Sequence, residues 1–396
     1  MQSIDSWPCQ ADLRQGAAEA PVVDSALRQG LVRVLLTTPS MTGRGGVSQY
    51  WRILKSHWRD DVQYLAIGSR TDERQFVTPL RLLNDWWRFA RTLRGGDFDI
   101  VHVNPSLLPK SLVRDGVLLL LAKALGKQVV VFVHGWHPGW DSVFPTYLRY
   151  AFRFVYGRAD AFVVLGDRFK RRVRVLGYKK PIFVARAPIA DELLLDHDDK
   201  PTEQGTMSCS KFRILFLARV EREKGIYEAL DTYWILRQQH SVVSLTVAGD
   251  GPELTAARQY AIARHLSDVS FVGHVDGTEK RHLYATANAY LLPSHHEGLP
   301  LSVLEAMALG LPIVTCDVGG LPDFFENRRM GFISSRRDPE VLASLLSLLI
   351  SNPSLCANIR EFNRTYARSH FTGGQIANGL ERIYRSVLGE ADDTVL

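Results

Sequence analysis

Two glutamates, Glu297 and Glu305, stand eight positions apart in the segment Ser294-His295-His296-Glu297-Gly298-Leu299-Pro300-Leu301 and its continuation to Pro312. Pro300 fits the first position of a helix, where its missing N–H costs nothing. Gly310 and Pro312 mark the end of that helix. Glu297 then lies just before a helix N-terminus, and Glu305 about a turn inside it. Free N–H groups at such an end can hold a phosphate. A carboxylate beside them accepts well from sugar hydroxyls. Val303, Leu304, Ala306, Met307 and Ala308 surround Glu305 with apolar groups. This helix is therefore expected to be buried, and its carboxylate to need a partner. Together these are the parts of a nucleotide-sugar site. A structural use of the same residues, with Glu305 bonding a loop and Glu297 capping the helix, stays open on this segment alone.

Two cations belong to the same chemistry. The strand Arg213–Ala218 runs into Arg219-Val-Glu-Arg-Glu-Lys224-Gly225, and a helix is predicted from near Ile226. Arg219 and Lys224, five residues apart beside a helix start, suit a diphosphate: one offers a planar fork, the other a point charge. Further strands are predicted at Ser244–Ala248, Val269–Val275, Ala289–Ser294 and Pro312–Thr315. Tight turns follow at Gly249-Asp250-Gly251-Pro252 and Gly319-Gly320-Leu321-Pro322-Asp323. Strands alternating with helical segments predict an α/β chain with a parallel, doubly wound sheet.

The ordered set Arg-x4-Lys-Gly, Gly-Asp-Gly-Pro, Pro-Ser-x2-Glu-Gly-x-Pro, Glu-x7-Glu and Gly-Gly-x-Pro resembles the retaining glycosyltransferases of family 4, also called group 1, which have the GT-B fold. The resemblance covers nearly all of residues 211–340 and, more loosely, 31–190. It implies two Rossmann-like domains facing a cleft, the second binding the nucleotide-sugar and the first the acceptor. It implies Arg219 and Lys224 on the donor diphosphate, Glu305 on the ribose hydroxyls and Glu297 near the transferred sugar. The backbone of Gly298, Leu299, Pro300 and Leu301 would hold sugar and phosphate oxygens. Gly249, Asp250, His274 and Val275 would line the nucleoside. The pattern departs from the family near Ala187-Pro188-Ile189, where many members carry Pro-Asn-Gly-Val-Asp.

In the amino-terminal half, the strand Leu31–Thr37 leads into a glycine-containing loop and a helix from about Val47. Gly45 and Gly46 at this turn would let the backbone approach a ligand closely. In the resembled family they face the diphosphate across the cleft. Gly43, Gly45 and Ser48, with Asp72 further on, partly mimic a dinucleotide-binding fingerprint, but the third glycine is missing. Strands are also predicted at Phe98–Asn104 and Gln128–Val133. His134, at the C-terminal end of the latter, lies where ligands collect in open α/β sheets. The family places a catalytic-site histidine there.

The polar, aperiodic stretch 196–211 separates a domain over 31–195 from one over 212–372. Residues 1–30 read as a loose extension. Residues 373–396 read as a final helix, around Gln375–Leu388, and a tail packing back toward the first domain, as the fold implies. At 396 residues and 46% hydrophobic content, a sizeable core in two domains is expected. Four scattered cysteines form no Cys-x-x-Cys, which argues against a zinc knuckle or disulfide framework and fits a reducing cytoplasm. No signal pattern opens the chain, and the apolar run Val117–Leu125 is too short to span a bilayer. Residues 1–200 hold 29 Lys+Arg against 20 Asp+Glu; residues 201–396 hold 19 against 22. The basic half carries the aromatic-basic segments Trp86–Arg94, Tyr147–Arg158 and Arg168–Arg174. These suit an anionic membrane surface, as for a peripheral protein on the inner face of the cytoplasmic membrane. No nucleic-acid motif accompanies the charge.

The expected activity is transfer from a UDP- or GDP-sugar to a saccharide acceptor, lipid-linked, in bacterial cell-surface or exopolysaccharide synthesis. No cofactor is expected and no metal, because cations and a helix N-terminus supply the positive charge. Asp97-Phe-Asp99 has the spacing of a metal motif but leads into a strand and reads as a turn. A soluble acceptor, a nucleotide-sugar epimerase of similar fold, a dinucleotide oxidoreductase and a non-enzymatic sugar-nucleotide sensor are the competing readings.

Overall fold

The computed structural model describes residues 30–43, 45–68, 78–107, 109–136, 146–194 and 211–390. All but Gly30 of the expected extension over 1–30, nearly all of the expected linker over 196–211, and Asp72 lie outside these residues. Within Val32–Leu396, one compact unit, the chain forms two parallel six-stranded sheets.

The first sheet comprises β1 (Arg33–Thr38), β2 (Asp61–Ala66), β3 (Ile100–Val103), β4 (Gln128–Val133), β5 (Ala161–Val164) and β6 (Ile182–Val184), in the order β2-β1-β3-β4-β5-β6. Helices α1 (Gly46–Leu54), α2 (Thr78–Gly95), α3 (Pro109–Ala124), α4 (Thr146–Tyr156) and α5 (Asp167–Val175) connect them. The second sheet comprises β7 (Phe212–Leu217), β8 (Val243–Ala248), β9 (Val269–Gly273), β10 (Ala289–Leu292), β11 (Ile313–Cys316) and β12 (Gly331–Ser334), in the order β12-β11-β10-β7-β8-β9. Its helices are α6 (Ile226–Gln239), α7 (Leu254–Ala263), α8 (Gly277–Thr286), α9 (Leu301–Ala308), α10 (Pro339–Ser351), α11 (Pro353–His370) and α12 (Gly373–Leu388). The doubly wound architecture expected from the alternation of elements is present in both halves.

The strand patterns follow from position in the sheet. Central β3, β5 and β10 are buried at every residue, because a parallel strand covered by helices on both faces needs a continuous apolar run. Edge β9 alternates instead between partly buried and exposed residues. Asp97 and Asp99 take up Arg33 at 2.6 and 3.7 Å and lead into β3, so this pair ties a turn.

Helix α12 crosses back to the first sheet. Its Glu381 carboxylate accepts from the backbone N–H groups of Arg59 and Asp60 at 2.6 and 3.0 Å. Arg385 pairs with Asp60, and the Tyr384 hydroxyl meets Nδ1 of His102 at 2.7 Å. A capping box at Thr372 and Gln375 starts the helix. No single described helix is long and apolar enough to cross a membrane.

Candidate active site

In each sheet the strand order reverses between two neighbours, β1 and β3 in the first and β7 and β10 in the second. Ligands in open α/β sheets bind beyond the carboxyl ends of the strands at such a point. The loop after β7 carries Arg219 and Lys224; the loop after β10 carries Glu297. Gly225 joins them. Its φ is +78°, and a Cβ there would lie 2.2 Å from the Pro293 carbonyl oxygen. Only glycine lets the two loops touch here. The His295 N–H and the Ser294 hydroxyl both donate to the Glu223 carbonyl, at 2.8 and 3.0 Å.

The result is a direct ion pair, Lys224 Nζ to Glu297 Oε1 at 2.8 Å. Glu297 therefore does not cap the following helix. Arg219, 66% exposed at its side chain, pairs with Glu221 at 2.7 Å. No hydrogen bond or ion pair joins it to Lys224 or Glu297 among the described residues. Helix α9 begins at Leu301, with Pro300 as its N-cap rather than its first turn, and no side chain caps it. Gly310 has φ +82° at its C-terminal end.

Glu305 is buried, as its apolar neighbours require, and its three partners come from two helices. Lys280 Nζ lies 2.6 Å and Gln49 Nε2 2.9 Å from Oε1, while the Tyr284 hydroxyl donates to Oε2 at 2.9 Å. Lys280 and Tyr284 stand four apart on α8, one face of that helix. Gln49 comes from α1 of the other lobe, 256 residues away in sequence. None of the three was singled out from sequence. An i, i+4 pair is readable, but nothing in its spacing says which carboxylate it meets.

The nucleoside-lining expectation falls on the ends of β8, which adjoins β7, and of β9, the edge strand beyond it. Gly249 has φ +142° and packs so closely that a Cβ would lie 1.9 Å from the Ala218 carbonyl oxygen. The Asp250 carbonyl accepts from the Val220 N–H at 3.0 Å. Val275 is buried, and His274 is half-exposed, 3.9 Å from Asp276.

On the facing lobe, Gly45 is the N-cap of α1, and a Cβ at Gly45 or Gly46 would meet nothing within 4 Å. Internal packing does not demand these glycines, which is what an approach reserved for a ligand predicts. His134 follows β4 and donates from Nε2 to Asn104 Oδ1 at 2.8 Å. Asn104 is oriented by its own amide, which donates to the Thr37 carbonyl at 2.6 Å. Phe132 stacks on the imidazole with centroids 4.0 Å apart, and Tyr50 and Trp51 meet it edge-on. Burial pushes the His134 pKa down to about 3, with nearby His102 adding to the effect. The ring is neutral at physiological pH, with its Nδ1 lone pair available to accept.

The lobes meet backbone to backbone. A Cβ on Gly298 would lie 1.8 Å from the His134 carbonyl oxygen, and one on Gly320 1.9 Å from that of Leu165. Gly320 N–H donates to the Gly298 carbonyl at 2.8 Å. Asp323 accepts from the Asp167 N–H at 2.7 Å, and Arg168 pairs with Asp317 at 2.8 Å. The segment that departs from the family pattern serves this junction too: Arg186 lies over the Phe324 ring, and Ile189 N–H donates to the Phe371 carbonyl. The basic run Arg168–Arg174 is thus not wholly a surface face. Phe169 and Val173 are buried in the lobe, and Arg168 turns into the cleft.

The family model described as glycosyl transferases group 1 matches residues 203–366, and a glycosyl transferase 4-like domain matches residues 25–185. The chain belongs to the group 1 glycosyltransferases. Glycogen synthase of Mycobacterium tuberculosis is 33% identical over 175 residues, 43% of this chain and 42% of that one. The amylovoran biosynthesis glycosyltransferase AmsK of Erwinia amylovora is 33% identical over 188 residues, 43% of this chain and 45% of that one. The matched region thus spans less than half the length of these curated relatives. Anabaena HepE, solved in complex with UDP and glucose, superposes with a TM-score of 0.71 at 16% identity, over 90% of this chain and all of that one. This glycosyltransferase accordingly has the GT-B architecture, with Lys224, Glu297 and Glu305 at the switch point of its second sheet. Among the described residues, no group of three or more His, Cys, Asp or Glu could hold a metal ion.

Proposed function

We propose that this group 1 glycosyltransferase moves a sugar, with retention at the anomeric carbon, from a UDP- or GDP-sugar to a lipid-linked saccharide in bacterial cell-surface or exopolysaccharide synthesis. The observation that carries the reading is the Lys224–Glu297 pair at the switch point beside the uncapped N-terminus of α9. The barrier in such a transfer is charge separation between an oxocarbenium-like sugar and a departing diphosphate. Lys224, Arg219 and the α9 N–H groups would stabilise the growing negative charge without a metal. Glu297 would face the positive sugar. As the bond from the anomeric carbon to the diphosphate oxygen breaks, the acceptor oxygen bonds the same face and its proton passes to the leaving diphosphate. Glu305 would take the ribose hydroxyls, and His134, neutral and oriented by Asn104, would accept from a sugar hydroxyl.

Two names among its relatives support the substrate class. AmsK is an amylovoran biosynthesis enzyme, and HepE holds UDP and glucose. The membrane reading rests on the first lobe. Leu80, Leu83 and Trp87 on α2, Val113 on α3, and Tyr150 and Phe154 on α4 are all exposed. Helices α2 and α4 both pack on α3. Arg91 lies over Trp87, and Arg158 over Phe154. Apolar tips flanked by guanidinium groups suit an anionic bilayer on the cytoplasmic face.

Nucleotide release from a panel of UDP- and GDP-sugars, with and without a lipid-diphosphate-linked saccharide and with EDTA throughout, tests the reading. Acceptor-dependent release that survives EDTA is expected. Release that needs Mg²⁺ or Mn²⁺ overturns the metal-free mechanism. Donor conversion without an acceptor supports an epimerase instead.

A further inference from the structure

Glu305, the carboxylate assigned to the ribose, is reached from both lobes, and its acceptor places can be counted. An ionised carboxylate offers about four, two on each oxygen. Oε1 takes Lys280 Nζ at 2.6 Å and Gln49 Nε2 at 2.9 Å, and Oε2 takes the Tyr284 hydroxyl at 2.9 Å. Among the described residues these leave one place, on Oε2. Two ribose hydroxyls donating to this carboxylate need two, so one of the three donors must give way. Tyr284 is fully buried, and a packed interior leaves its ring no space to swing aside. The Lys280 side chain is only 16% exposed, and detaching it would strand a mostly buried charge. Gln49 differs on each count. Its amide is neutral, the residue is partly buried, and it comes from the other lobe.

Gln49 lies one turn into α1, where its N–H donates to the Gly45 carbonyl at 3.0 Å. The helix that offers Gly45 and Gly46 to the cleft thus offers an amide to Glu305 as well. We propose that Gln49 is a specificity residue of the donor site, acting through Glu305: its amide holds the place of one ribose hydroxyl and yields it when a ribonucleotide binds. The inference rests on the ribose reading of Glu305 given above. A 2′-deoxyribonucleotide brings one hydroxyl fewer, fits the remaining Oε2 place and leaves Gln49 bonded. Binding of a ribonucleotide therefore costs an interlobe hydrogen bond that binding of its deoxy analogue does not. It also frees α1 from the second lobe, so donor binding loosens one tie across the cleft.

Calorimetric Kd values in the full chain test this, for UDP or GDP, whichever raises Tm more, and for its 2′-deoxy analogue. Gln49→Leu, which keeps most of the side-chain volume, and Gln49→Ala should each bind the ribonucleotide about ten-fold more tightly, the scale of one hydrogen bond to a charged group. The 2′-deoxy analogue should bind both variants as it binds wild type, so the preference for ribose shifts by the same factor. Unchanged affinities, or equal gains for both nucleotides, overturn the role, because a mere change in lobe packing does not distinguish the two sugars. Weaker ribonucleotide binding in the variants also overturns it, since Gln49 would then donate to the ligand rather than give way. A wild type that binds neither UDP nor GDP, or a Glu305→Ala protein that binds as tightly as wild type, overturns the ribose reading itself. Far-UV circular dichroism and Tm confirm that each variant is folded.

Discussion

Lys224 and Arg219 make different predictions although the same role is assigned to both. Lys224 is mostly buried and holds Glu297, which is only 10% exposed at its side chain. Lys224→Ala should lower turnover by roughly 10²-fold, the usual loss when a transition-state charge partner is removed. It should also lower stability, by less than the about 3–5 kcal/mol seen when a fully buried pair is broken. Arg219 is largely in solvent, so Arg219→Ala should slow turnover with Tm unchanged. Steady-state rates beside thermal melts separate the two. Arg219→Ala with normal rates would remove it from the diphosphate. Glu305 gives a third contrast. Its carboxylate already carries Lys280, Gln49 and Tyr284. Glu305→Ala should therefore weaken nucleotide binding by calorimetry and destabilise the fold by stranding the mostly buried Lys280. Glu297→Ala should act mainly on the chemical step. A Glu305→Ala protein that binds nucleotide as tightly as wild type would refute the ribose assignment.

At the scale of elements, β3 and β4 place His102 and His134 side by side under α1, and burial pushes both imidazoles down to about 3. In the unfolded chain each titrates near 6.5. The unfolded state thus binds more protons than the folded state once pH falls below about 6.5, and stability drops with pH from there toward 3. The slope approaches about 1.4 kcal/mol per pH unit for each histidine. Urea midpoints from pH 7.5 to 5 should fall steadily, and His102→Gln should flatten the slope by about half. Equal slopes in the two proteins would mean His102 is not held neutral. The elements themselves were largely readable. A run of valines marked β4 and an apolar run marked β7, and Pro300 with Gly310 bracketed α9 to within a residue. The site was readable where its chemistry lay within one loop or helix, as for Glu297 and Glu305. It was not readable where partners meet across the cleft. Gln49 reaches Glu305, and Arg168 reaches Asp317, through the packing of two domains, which leaves no local period. The run Arg168–Arg174 shows the same limit: charge density marked it, but only the position of α5 shows which arginines enter the cleft.

At the scale of the whole molecule, charge and exposed apolar groups sit together on the first lobe. Lysines and arginines near an anionic bilayer contribute about 1 kcal/mol each, screened by salt. The full chain should therefore sediment with phosphatidylserine vesicles at low salt, and less as salt rises. Neutral vesicles should bind it poorly. Replacing Trp87 and Phe154 together by Ser should weaken binding even at low salt. A full chain that ignores anionic vesicles at low salt would favour a soluble acceptor. The junction of the lobes has a consequence for timing. At Gly298 against His134, and at Gly320 against Leu165, peptide groups press on one another with no side chain between them. No rotamer can swing aside to release a product, so the domains must part as bodies and drag solvent with them. Turnover limited by that parting should slow in proportion to microviscosity, in glycerol or sucrose but not in a polymer of equal bulk viscosity. Gly298→Ala, which cannot close the seam, should lose both its rate and that dependence.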